Sequence, residues 1–137
     1  MTRLLLLIIL FGSNSYTQDT LDFSKLNKRM PLDLKEKPIY LNDVTPYTGV
    51  AIEYDSAHIV KIIYNFKAGL LSGNQLKYYS TGELKEKTPY INGRRNGASK
   101  LYYKSGQINS QMNFRMGHLV DTSKIWYDDS KIKSLSV

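Results

Sequence analysis

The chain contains no cysteine. That excludes a disulfide framework, a thiolate metal site, a cysteine nucleophile and a lipid anchor attached through cysteine. Histidine is scarce. Only His58 and His118 occur, and neither has a second histidine or a carboxylate at metal-ligand spacing. No serine stands in a G-x-S-x-G nucleophile elbow. The run GRRNG (93–97) lacks the strand–loop–helix setting of a phosphate-binding loop and reads as a hairpin turn. Asp128 and Asp129 read as solvated turn residues, because adjacent residues point apart. These absences predict a non-enzyme with no catalytic residue, no cofactor and no metal. Long hydrophobic runs are missing too. The run from Leu4 to Phe11 falls far short of the roughly 20 residues that span a bilayer.

That run has a different meaning at the N-terminus. Arg3 precedes it, and small and polar residues follow (GSNSYTQDT). This is the layout of a secretory signal peptide. Residues 1–17 are expected to be that signal, with cleavage after Ser15 or Thr17. The protein is then extracytoplasmic, either periplasmic or secreted. The other readings are a buried N-terminal helix and an uncleaved anchor. The 137 residues suit a single domain, and 19 Lys plus Arg against 12 Asp plus Glu give a net charge of +7. Eleven tyrosines suit strands, where aromatic rings pack on a pleated surface.

The residues most informative about fold are repeated ones. YYSTGELKEKTPYINGRRNG (78–97) returns as YYKSGQINSQMNFRMGHLVD (102–121), 24 residues on. Blocks starting at Gly49, Gly73, Gly97 and Asp121 need no insertion. Position six is then Tyr54, Tyr78, Tyr102 and Trp126. Position eighteen is Phe66, Tyr90 and Phe114. Position ten includes Gly82 and Gly106, with His58 in the first block and Ser130 in the last. Position twenty-one is Gly69, Gly93 and Gly117. So many coincidences at one period indicate a repeat architecture.

Each block predicts two short strands, near 74–79 and 83–91 in the second block. STG (80–82) and KSG (104–106) read as tight loops whose final glycine takes φ > 0. Asn92-Gly93 is a second turn signal. Strict alternation in the second strand places Val60, Tyr64 and Phe66 on one face, with Leu84 and Tyr90, and Ile108, Met112 and Phe114, as equivalents. Lys61, Lys85 and Lys133 then fall on the other face. The expected fold is all-β: an elongated antiparallel meander of stacked β-hairpins with a 24-residue repeat. Equivalent aromatics one repeat apart are expected to form ladders. Terminal units are expected to be atypical caps. Residues 18–37 form a lead-in, where DTLDFSKLNKRM (19–30) reads as a short helix capped by Asp19. Residues 38–137 form the repeats, beginning with a half-unit whose strand is near 38–42.

These phrases resemble the bacterial variant of the MORN repeat, roughly G-x4-YY-x-x-G-x-L followed by an aromatic and N-G. The lead-in PYTGVAIEY (46–54) is also similar to the opening of such chains. The resemblance covers about residues 38–137. It implies a β-hairpin repeat protein used for binding, and it extends to chains labelled as antitoxins of the YwqK type. The first block departs at Ala57-His58 and the last at Ser130, both at the ends.

The remaining candidates are surface features. Between Gly73 and Val120 eight basic residues face two acids, Glu83 and Glu86. Lys77, Lys85, Lys87, Arg94, Arg95 and Lys100 are the candidate anion-binding set, since a period stacks scattered lysines into columns. The expected partner is an anionic lipid or polysaccharide of the cell envelope. The competing reading is solubility and protection of strand edges by lysine. Tyr78, Tyr102 and Trp126 either stack on a ligand or stabilise the sheet. Nucleic acid is disfavoured by export. The alternative function is an antitoxin-like protein that binds a cognate toxin through a sheet face or edge.

Overall fold

The computed structural model describes residues 20–26, 46–121, 123–129 and 131–136. The signal segment, residues 27–45 and the strand expected near 38–42 lie outside the described residues. Within them the chain forms one open sheet of twelve strands. A short strand β1 (Thr20–Asp22) pairs in parallel with β2 (Gly49–Tyr54). The other pairings between the described strands are antiparallel. β2 and β3 (Val60–Lys67) form the first hairpin, β5 (Gly73–Tyr78) and β6 (Leu84–Ile91) the second. β8 (Gly97–Tyr102) and β9 (Ile108–Arg115) form the third, β11 (Ser123–Trp126) and β12 (Ile132–Ser136) the fourth. Three two-residue strands fold back on the long ones: β4 (Leu70–Leu71) on β3, β7 (Arg94–Arg95) on β6 and β10 (His118–Leu119) on β9. Along the sheet the strands follow chain order. The all-β hairpin meander is therefore what the chain adopts.

Two kinds of turn recur. In the hairpins, Gly82 and Gly106 have φ of +98° and +87°. Their amides donate to the carbonyls of Tyr79 and Tyr103 at 2.9 and 3.0 Å. His58 holds the same position at φ +60° without being glycine. Asp55 stands where later blocks have tyrosine, and its carboxylate accepts the amides of Ala57 and Ile59, both at 2.9 Å. The Tyr54 ring stacks on the His58 imidazole at 4.5 Å. Between hairpins, Ala68-Gly69, Asn92-Gly93 and Met116-Gly117 all have φ > 0 at both residues, the type I′ signature. Each turn glycine also donates to the preceding unit: Gly69 to Tyr47, Gly93 to Leu71 and Gly117 to Arg95, at 2.7–2.8 Å.

The lead-in differs from expectation. The helix capped by Asp19 is replaced, over the described part, by β1 and a single 3-10 turn at Phe23–Lys25. Asp22 caps that turn by accepting the Ser24 amide at 2.8 Å. Leu21 and Leu26 bracket the turn and reach the sheet. The apolar core lies here: Leu26, Tyr47, Ala51, Tyr64, Phe66 and Leu71 are buried, with Leu21, Phe23, Ile62 and Tyr90 against them. Phe23 stacks on Tyr64 at 4.5 Å. We call this side the core face. Farther along it the interior turns polar. Thr88 and Ser99 are buried and share a 2.8 Å hydrogen bond, Thr88 also donates to Glu86, and Glu86 pairs with Lys77 at 2.9 Å.

Strict alternation fails in every hairpin. The register slips by one residue, so Tyr54, Tyr78, Tyr102 and Trp126 face Val60, Leu84, Ile108 and Ile132. The skipped residues are Lys61, Lys85, Asn109 and Lys133. A bulge sets two residues against one and reverses the parity beyond it. Val60, Leu84 and Ile108 thus leave the face of Tyr64, Tyr90 and Phe114, where they were expected. Lys61 instead meets Glu53 at 2.9 Å, the carboxylate that also takes the Tyr64 hydroxyl at 2.8 Å.

Candidate functional site

Register places the six candidate cations in different settings. Lys77 is on the core face, engaged by Glu86. Lys85, a bulge residue, lies over the Tyr79 ring at 5.5 Å, and Lys104 approaches that ring at 5.6 Å. Arg95 is paired with Tyr90 on the core face, and its guanidinium covers the Phe114 ring at 3.9 Å. Arg94 is exposed and pairs with Ile91 beside the turn. Only Lys87 and Lys100 stand together. They are direct partners across β6 and β8, on the face opposite the core.

One cross-strand row runs along that face: Ile52, Ile63, Leu76, Lys87, Lys100, Gln111, Lys124, Leu135. It begins apolar and becomes basic. Strands lie about 4.8 Å apart, so Lys124 is about 10 Å beyond Lys100. From β3 to β12 the strand residues of this face include no carboxylate; Asp22 sits on β1 at the far edge. Asp121, beside the row, accepts a 3.0 Å hydrogen bond from Asn113. Lys124 is not among the expected residues, since it lies beyond the Gly73–Val120 charge excess. The period carried the signal: Lys124 follows Lys100 by one repeat.

The position-six aromatics flank the lysines on the same face. Tyr78, Tyr102 and Trp126 are half-buried, and burial pushes the Tyr78 hydroxyl above its ordinary range. Among the described residues no ring pair joins equivalent positions of successive repeats. The repeats are tied instead by hydroxyls: Tyr79 donates to the Tyr102 carbonyl and Tyr103 to that of Trp126, both at 2.8 Å. Of the two adjacent aromatic columns, only Tyr127 at the last turn is exposed, at 51%. Among the described residues no group of three or more His, Cys, Asp or Glu could hold a metal ion. No described helix is long and apolar enough to cross a membrane.

The matched segments of known proteins coincide with these hairpins. The MORN repeat variant matches residues 71–92 and 95–116, one period apart. Two MORN repeat variants form the middle of the sheet. Each runs from the second residue of a short strand, through a bulged hairpin, to the first residue of the next type I′ turn. The matches leave out the first hairpin, with its Asp55–His58 turn, and the fourth, which has Ser130 at the glycine position. No curated protein and no solved structure matches the chain.

Proposed function

We propose that this is an exported, non-enzymatic β-repeat protein that binds an acidic polysaccharide of the cell envelope along its lysine face. Repeats of this variant are generally binding or scaffold units, which is compatible with such a role. The observation that carries the reading is the Lys87–Lys100–Lys124 row on a face without neighbouring strand carboxylates. Like charges placed directly opposite destabilise a sheet, so stability alone does not favour Lys87 beside Lys100. A linear polyanion neutralises them together. Tyr102 and Trp126, beside the row, offer apolar ring surface to sugars. Each lysine contributes about 1 kcal/mol near an anionic surface, and the attraction fades as salt shortens the Debye length below about 8 Å.

The test is affinity electrophoresis and calorimetry with a polyuronate and with neutral dextran across a salt series, with anionic vesicles as a separate arm. Binding to polyuronate alone, lost in Lys87→Glu, Lys100→Glu, supports the reading. Equal binding by native and variant proteins overturns it, and binding confined to vesicles moves the target to lipid. Export is tested by fusing residues 1–20 to a reporter active only outside the cytoplasm. A silent reporter ends that part of the proposal. A second reading, an antitoxin-like protein binding a toxin, draws on the last strand, where Ile132 and Leu135 are each 58% exposed. Such an edge suits strand addition by a protein partner. Co-purification of one stoichiometric cytosolic protein, abolished by Leu135→Glu, would favour it.

A further inference from the structure

The turns at Asn92-Gly93 and Met116-Gly117 stack on each other, joined by the Gly117 amide and the Arg95 carbonyl. Between them opens a cavity of about 260 Å³ lined by Tyr90, Arg94, Arg95, Met116 and His118, with Gly93 and Gly117 as its backbone walls. The chain supplies its own comparison. One repeat earlier, the residues equivalent to Tyr90, Arg94 and Arg95 are Phe66, Leu70 and Leu71. Phe66 and Leu71 are each 3% exposed and belong to the apolar core. The same strand positions therefore carry Phe66, Leu70 and Leu71 at one junction and a phenol with two guanidinium groups at the next, while the later turn contributes Asn92 and Arg94 to the first junction and Met116 and His118 to the second. The fold does not require a phenol and a guanidinium at positions 90 and 95, because one repeat earlier buried Phe66 and Leu71 fill the same places.

The geometry suits an anion. The Arg95 guanidinium carbon lies over the Phe114 ring, 3.9 Å from its centroid. A guanidinium stacked by its face directs its N–H groups outward in its own plane, the arrangement that grips an oxyanion in two places. Tyr90 faces Arg95 across the strand pair, and burial keeps its hydroxyl a protonated donor at neutral pH. The Gly93 and Gly117 amides are already committed to the Leu71 and Arg95 carbonyls, so recognition falls to side chains. The cavity is smaller than the roughly 300–1,000 Å³ that holds a drug-sized ligand. We propose that this inter-turn cavity binds a single oxyanion, a phosphate or carboxylate group carried on a larger ligand, through Arg94, Arg95, Tyr90 and His118. The site is separate from the lysine row and does not depend on it.

The test is amide NMR of the full chain titrated with inorganic phosphate, with glucuronate and with chloride, at constant ionic strength and pH 7. Saturable shifts at residues 93–95 and 117–118 are expected with phosphate or glucuronate, and whichever binds names the source of the oxyanion. Arg95→Gln should weaken binding at least tenfold. Since Arg95 also packs on Phe114, His118→Ala provides a second variant at an exposed residue of β10, expected to bind about threefold more weakly. Lys87→Glu, Lys100→Glu should bind as tightly as native, which separates this site from the polysaccharide reading. Shifts equal to those with chloride, non-saturating shifts, or binding unchanged in both cavity variants would overturn the proposal.

Discussion

The Tyr79 hydroxyl donates a 2.8 Å hydrogen bond to the carbonyl of Tyr102, 23 residues away, and Tyr103 repeats the bond to Trp126. A side chain at position seven of one repeat thus satisfies the backbone at position six of the next. The link depends on the period itself, since it needs successive hairpins stacked in one register. Tyr79→Phe and Tyr103→Phe should each cost about 0.5–1.5 kcal/mol. Urea denaturation checks this, and a change within error for both would show that water replaces the phenols without loss.

The hairpin glycines are expected to matter through backbone conformation alone. A Cβ on Gly106 meets no atom within 4 Å, yet its φ is +87°. Gly106→Val should therefore destabilise by about 1–3 kcal/mol. Gly97 combines φ +111° with Pro89 Cγ at 3.1 Å from an added Cβ. Gly97→Ala should accordingly cost more than Gly106→Ala in the same denaturation assay. The reverse order would deny the close approach of β8 to Pro89.

Alkaline unfolding should report on Tyr64. Burial, then the hydrogen bond to Glu53, pushes its hydroxyl far above the ordinary value near 10. A raised folded-state pKa means full stability below the unfolded value, with loss as pH climbs above it. Thermal unfolding should hold steady to about pH 9 and decline from pH 10 upward. In Tyr64→Phe that alkaline decline should be shallower. An identical slope in the two proteins would remove Tyr64 as its source.

Lys87 should carry a trade between binding and stability. It faces Lys100 directly, a like-charge pair that weakens the sheet. Lys87→Glu replaces it with an opposite-charge pair and should gain about 0.2–1 kcal/mol in urea, while lowering affinity for polyuronate. A variant that loses both stability and binding would mean that Lys87 acts mainly by packing.

Much of the fold was legible because it is written four times. The glycines at 82 and 106 mark the hairpin loops, and Asn92-Gly93 marks the type I′ turn, since both turns demand φ > 0. The functional surface was less legible. Strict alternation runs straight through the second strand in the sequence, and the bulge at Lys85 undoes it. The period alone stacks Lys77, Lys85 and Arg95 with Lys87 and Lys100, whereas ladder register sends Lys77 and Arg95 to the core face and leaves Lys85 in the bulge.

The sequence by itself determined the period, the turn positions and the all-β hairpin architecture, because φ > 0 positions and aromatic spacing are local requirements that recur at fixed offsets. Tertiary structure alone decided which residues share a surface. Pairing register and a one-residue bulge are non-local, and each reverses every side chain beyond it. They brought Lys87, Lys100 and Lys124 into one row, withdrew Lys77 to Glu86 and Arg95 to Phe114, and opened a cavity lined by Tyr90, Arg94 and Arg95 at one inter-turn junction, where the preceding repeat has the buried Phe66 and Leu71.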